Sequence, residues 1–258
     1  MAESVVWATI FFAGLAAGSF LNVVIYRGPV LWKLVDAPAR GDLVGPRSYC
    51  PACKAPLRFG NLIPIVSYLI QGGRCSSCRA EIPVRYPVVE ALSGASALLA
   101  VAIFGWTASA LLAAIAALML VALAFIDLET GFLPDALTIP LAGLGLAANA
   151  FGAFASRTDA LLGAAAGFLA FWAIGAIYRR IRKRDGLGLG DAKLLAAIGA
   201  WTGWIYLPLV VLVAAAATLL VVLARRGAKP DEAAPFGPGL CAAGLTAIYF
   251  GERLFTAL

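Results

Sequence analysis

The chain contains no histidine. That absence removes a Ser-His-Asp triad, a Ser-His dyad, a Cys-His pair and an HExxH zinc site, all of which need imidazole. Hydrolytic chemistry then has to come from carboxylates, a Ser-Lys pair or a metal held without histidine. Charge is also scarce. Of 258 residues, 13% are charged and 62% are hydrophobic, with a mean hydropathy of +0.91. Soluble domains are roughly half apolar and about a quarter charged. An all-α polytopic membrane protein is implied, and the bilayer rather than an aqueous core sets its architecture. The opening run, MAESVVWATIFFAGLAAGSFLNVVIYR, lacks the positive n-region of a secretory signal. Its first positive charge, Arg27, follows the apolar stretch, so it reads as an uncleaved first span.

Apolar runs fall at 5–25, 87–104, 109–126, 136–155, 160–178, 192–206, 207–224 and 238–256. A span needs about 20 residues, and these predict about eight transmembrane helices, the sixth and seventh being short. Lys and Arg cluster between Arg27 and Arg85, between Arg179 and Lys193, and at Arg225, Arg226 and Lys229; only Arg157 and Arg253 stand apart. An eight-span path puts all three clusters on one side. By the positive-inside rule that side is cytoplasmic, with both termini outside. The net charge of +6 is thus a topology signal. It also suits anionic membrane lipid, and nothing in the sequence supports nucleic-acid binding. Three parts are expected: a first helix at 1–26, a cytoplasmic module at 27–86 and a membrane bundle at 87–258. Gly14 with Gly18, and Gly163 with Gly167, make small-residue steps where helix backbones can approach closely.

The module carries CPAC at 50–53 and CSSC at 75–78. Two C-x2-C knuckles can present four thiolates tetrahedrally to Zn²⁺, so Cys50, Cys53, Cys75 and Cys78 are expected as ligands of a closed, structural site. The alternative is two disulfides or free thiols; a cytoplasmic location disfavours disulfides. Cys241, alone in the last span, reads as a small packing residue.

Acidic residues in or beside spans are costly and each needs a reason. Asp127 ends the third span and Asp191 opens the sixth. The chain crosses twice between them, so both carboxyls emerge on the cytoplasmic side. Asp191 and Asp135 each stand where a helix starts and could cap it. Asp127 stands at a helix end, where the macrodipole disfavours negative charge, so something must stabilise or use it. Two adjacent carboxyls share a proton, giving one base and one acid to divide water attack on a peptide carbonyl. Gly188 and Gly190 leave room for a substrate backbone beside Asp191.

These segments resemble those of the type IV prepilin peptidases, bifunctional leader peptidases and N-methyltransferases among the GxGD aspartic proteases. GSFLNVVIYR (18–27), the paired knuckles, RYPVVE (85–90), IDLETGFLPD (126–135), GLGLGDAKLL (186–195) and PFGPGL (235–240) follow the family's order. The resemblance implies Asp127 and Asp191 as the catalytic pair. It implies a type IV prepilin or pseudopilin substrate, whose basic leader is cut after glycine at the cytoplasmic face of the bacterial inner membrane. It further implies methylation of the new N-terminal residue from S-adenosylmethionine. A presenilin-like GxGD protease and an ion-coupled transporter are the alternatives. Glu129 and Asp135 are expected to offer negative charge to a basic leader.

Overall fold

A computed structural model describes residues 2–183, 187–224 and 235–256. Arg184, Gly186, Arg225, Arg226 and Lys229, used above in the charge clusters and the glycine motif, lie outside the described residues. Among those described, the chain is helical, with two isolated bridges and no strand. It divides into two compact units, Met1–Ala110 and Leu111–Leu258.

The first unit contains α1 (Ala2–Leu31), a 3-10 turn (Phe59–Leu62), α2 (Val66–Ile70) and α3 (Arg85–Phe104). With 30 residues, α1 is roughly 45 Å long and overshoots a hydrocarbon core of about 30 Å. Arg27 therefore lies inside the helix rather than after it. Its guanidinium is buried and donates to the carbonyls of Asp42 (2.6 Å), Gly45 (3.0 Å) and Pro46 (2.8 Å). Arg40 returns the contact, donating to the Tyr26 carbonyl at 2.7 Å and lying over the Tyr26 ring. A buried charge needs such partners; here they fasten the loop after α1 to its end. The Gly14–Gly18 step faces α3. A Cβ on Gly14 would sit 2.8 Å from the Cα of Gly94, and one on Gly18 would sit 2.7 Å from the Cα of Glu90.

The second unit is built from α4 (Ala108–Thr130), α5 (Asp135–Asn149), α6 (Arg157–Arg182), α7 (Leu189–Thr202), α8 (Leu207–Ala224) and α9 (Gly237–Thr256). Each of the eight expected spans overlaps a helix, although the fourth, expected at 136–155, ends at Asn149 and the sixth, expected at 192–206, ends at Thr202. By length and composition, α1, α3, α4, α6 and α8 are able to cross a membrane. The 15-residue α5 and 14-residue α7 are only about 21–23 Å long.

Burial compensates α7 for its shortness. Every residue from Ala197 to Thr202 is buried, and α5, α6 and α9 surround it. Glycine sets the spacing to α6. A Cβ on Gly163 would strike the Gly199 carbonyl, and one on Gly167 would lie 2.7 Å from the Leu195 carbonyl. At the far end, helix carbonyls have no partner within the helix. Asn149, fully buried at the end of α5, donates to the carbonyls of Ala200 (2.8 Å) and Trp201 (2.9 Å). Its side-chain oxygen accepts from the N–H groups of Phe154 and Ala155, both at 2.9 Å. The indole of Trp201 donates to the Leu141 carbonyl at 2.8 Å.

Gly163→Ile is expected to force α6 off α7 and to cost at least ~1–3 kcal/mol, the usual range for overpacking. Gly143→Ala, which meets nothing within 4 Å, is expected to be neutral or slightly stabilising. Thermal unfolding in detergent compares the two; equal midpoints would refute the packing account.

Candidate active site and metal centre

Asp127 lies in the last turn of α4 and is 5% exposed. The unfavourable dipole of its own helix is offset by another helix. Its Oδ2 accepts the backbone N–H of Gly237, the first residue of α9, at 3.1 Å. A helix N-terminus offers free N–H groups and partial positive charge to a carboxylate. Residue 237 must be small: a Cβ there would sit 2.6 Å from the Asp127 Oδ2. Pro238 follows inside the first turn of α9, where its missing N–H does no harm.

Asp191 is the third residue of α7, behind an N-cap at Gly188. It does not cap the helix as the N-cap residue, as its position before an apolar run suggested. Instead its carboxyl reaches back to the Gly188 N–H, the reciprocal half of a capping box. The capping and chemical roles are thus compatible. Gly190 lies under Leu133 of the loop between α4 and α5; a Cβ at 190 would come within 3.1 Å of the Leu133 Cβ. Close packing of that loop on the start of α7 is therefore a second reason for glycine there.

The fold brings the two acids together. Asp127 and Asp191 lie within electrostatic reach of each other, and Cys241, one turn into α9 and buried, is within reach of both. Its isolation in the sequence gave no means of seeing that Cys241 lies near the acid pair.

Asp135 departs from expectation. It begins α5 without capping it through its side chain. Both its oxygens accept from the Nζ of Lys193, at 2.7 and 2.8 Å. Its charge is matched, so it is not a free negative group for a basic leader. The pair instead ties the first turn of α5 to the start of the second turn of α7, two residues beyond Asp191.

The four knuckle cysteines gather in the first unit, with their Sγ atoms all within 4.8 Å of one another, and none is in a disulfide. The two knuckles are built alike at an offset of 25 residues. Cys50 N–H bonds the Ala55 carbonyl as Cys75 N–H bonds that of Ala80. Lys54 and Arg79 both have φ of 61°. Bridges join Tyr49 to Pro56 and Arg74 to Glu81. The repeated C-x2-C-[K/R]-A pattern carries this duplication in the sequence. A tetrahedron of thiolates about 2.3 Å from zinc has S–S edges of about 3.8 Å; Cys50 and Cys78 are 3.9 Å apart at Sγ, so the donor set fits the ion. The N–H groups of Cys78 and Ser77 hold the Cys75 thiol down to about 6. At Cys78 the Ala80 N–H favours thiolate, but the Cys53 thiol, desolvation and the Cys75 and Cys50 thiols together outweigh it and hold the thiol up at about 11. Four sulfurs this close cannot all ionise without a cation among them.

Comparison with known proteins decides the family. Residues 12–104 match the Bacterial Peptidase A24 N-terminal domain, and residues 114–223 match the Type IV leader peptidase family. Proteins named prepilin leader peptidase/N-methyltransferase align along nearly the whole chain. One from Burkholderia pseudomallei is 44% identical over 95% of this chain and 85% of its own. One from Pseudomonas aeruginosa is 42% identical over 93% and 89%, and one from Neisseria gonorrhoeae 41% identical over 90% and 86%. The chain belongs to the type IV leader peptidase family. No solved structure matches it. Neither the presenilin-like protease nor the transporter is favoured by any of these matches. The family boundary near residue 104 lies beside the division between the compact units, so α3 groups with the cysteine module and α1.

Gly237→Ala is expected to displace the Asp127 carboxylate and lower the unfolding free energy by ~1–3 kcal/mol, the scale for an orphaned buried acceptor. The loss should shrink markedly where Asp127 is already Ala. An undiminished loss in that background, measured by denaturant unfolding, would place the clash elsewhere.

Proposed function

We propose that the chain is a membrane aspartic endopeptidase that removes the leader of type IV prepilins or pseudopilins, cutting after glycine. In the same reading it methylates the newly exposed amino group with S-adenosylmethionine. One observation carries the peptidase assignment. Asp127 and Asp191 come from different helices, α4 and α7, lie 64 residues apart in sequence, and meet within electrostatic reach in a chain without histidine. The names of the relatives support the same reading.

The mechanism follows from the pair. One acid is ionised and takes a proton from water as the water oxygen attacks the carbonyl carbon of the scissile peptide. The other is protonated and donates to that carbonyl oxygen, giving a neutral diol. Collapse of the diol breaks the C–N bond, with proton return to the leaving amine. Gly237 N–H holds one Asp127 oxygen and leaves the other free; Gly188 N–H orients Asp191. The two carboxyls titrate as a pair, so activity against pH is a bell whose limbs belong to both.

The clustering of Lys and Arg supports a cytoplasmic active site in the bacterial inner membrane, with both termini outside. In that orientation the acids would lie beside a leader emerging at the membrane edge. Zn²⁺ held by Cys50, Cys53, Cys75 and Cys78 would cross-link the two knuckles and supply folding energy to a loop with little apolar core.

Incubating purified protein with a pilin precursor and S-adenosylmethionine, followed by mass spectrometry of the product, tests the assignment. Asp127→Asn and Asp191→Asn are each expected to reduce cleavage by at least ~10³-fold, about 4 kcal/mol of transition-state stabilisation, with unfolding midpoints little changed. Cleavage near the parental rate in either variant would sink the pair. Absence of a methylated product alongside cleavage would remove the transferase half alone. Protein purified without chelator is expected to hold one zinc per chain by elemental analysis, and Cys75→Ser to lose it; a metal-free parent would exclude the zinc centre.

A further inference from the structure

The cysteine module bears an apolar face where a water-exposed segment should not. In α2 the exposed positions are Val66, Leu69 and Ile70, the i, i+3, i+4 stripe that a helix turns inward in water. Ile70 is 81% exposed, and Phe59 in the preceding turn is 81% exposed as well. Ile63, half exposed, lies between them.

A tether to α3 relates this face to the depth of that helix in a bilayer. The Ile65 N–H donates to the Glu90 Oε2 at 2.7 Å, and Glu90 also bonds Ser19 of α1. Glu90 lies five residues beyond Arg85, the start of a membrane-spanning helix, or roughly 7 Å along α3. The headgroup layer on each side of a bilayer is about 5–7 Å thick. If Arg85 is at the outer edge of that layer, Ile65 is pinned near its inner boundary. Ile65 stands at φ 60°, ψ −49°, a strained conformation for a β-branched residue.

Cations rim the same face. Arg47 lies over the Phe59 ring at 5.4 Å. Arg58 directly precedes the 3-10 turn and Arg74 closes the turn after α2; all three are exposed. Across residues 27–85 there are nine Lys or Arg against three Asp or Glu. An apolar stripe at headgroup depth with a basic rim is the chemistry of an interfacial segment on anionic lipid.

We propose that Phe59, Ile63, Val66, Leu69 and Ile70 form a docking face that inserts into the anionic lipid surface on the module's side of the membrane. Glu90 acts as the tether that sets its depth. This holds for either activity of the chain and does not depend on the catalytic pair.

An environment-sensitive fluorescent amino acid placed at Ile70 of the full-length protein, reconstituted in vesicles, reads the insertion. In vesicles with about 30% phosphatidylglycerol, a proportion that gives a negative surface, phospholipid carrying a nitroxide high on the acyl chain is expected to quench at least twofold more than aqueous iodide. In pure phosphatidylcholine the advantage should fall at least twofold. Glu90→Ala should reduce lipid quenching while Glu90→Gln, still able to accept from Ile65, should largely keep it. Iodide quenching equal to or stronger than lipid quenching would overturn the proposal. So would shielding from both quenchers, which would mean that protein, including a second copy of this chain, covers the face. Equal quenching in neutral and anionic vesicles would overturn the role of the basic rim. The same probe at Leu69 gives the reading if the Ile70 variant folds poorly.

Discussion

A carboxylate inside an apolar bundle needs a donor, and the second unit is arranged around supplying one. Asp127 ends α4, where the helix's own carbonyls repel it. The N–H of Gly237 at the start of α9 reverses that local field. One hydrogen bond therefore joins two helix ends of opposite polarity. The close approach it requires excludes any side chain at residue 237.

The second acid is placed by different means. Asp191 opens a helix too short to be positioned by a full crossing, so burial and end contacts position it. Asn149 grips the carbonyls at the far end of α7, glycines on α6 set its lateral spacing, and Asp135 holds Lys193 at its near end. The ion pair is partly exposed and contributes little stability by itself. Its bidentate geometry restrains the turn that carries Asp191. A rigid acid against a tethered acid is what proton sharing needs, because the coupling between them falls with distance.

The first unit solves a different problem. Its loop after α1 has almost no apolar interior, so it is held by polar anchors: Arg27 in three carbonyls, Glu90 on Ile65, and four sulfurs drawn into one cluster. The duplicated knuckles converge because each turn aims its thiols to the same side. Backbone N–H groups favour thiolate at Cys75 while the neighbouring thiols and burial disfavour it at Cys78, a tension that a dication relieves.

Much was legible before any coordinates. Apolar run length located eight helices, five of them long and apolar enough to span, since spanning lipid is a one-dimensional constraint. Two C-x2-C pairs predicted the sulfur cluster, since metal ligation needs only local turns. Counting crossings put Asp127 and Asp191 on one side, which is a matter of parity. What sequence could not reach were contacts between distant helix ends. Asp135 looked like a free cap because its partner Lys193 is 58 residues away. Asp127 looked unsupported because its donor is 110 residues away. Arg27 looked like a boundary charge because nothing local showed the carbonyls that fold back over it. Sequence by itself determined which segments form apolar helices and which cysteines can cluster, because hydrophobicity and ligand spacing act along the chain. Only the tertiary structure decided which carboxylate meets which donor, because a helix end finds its partner through packing in three dimensions.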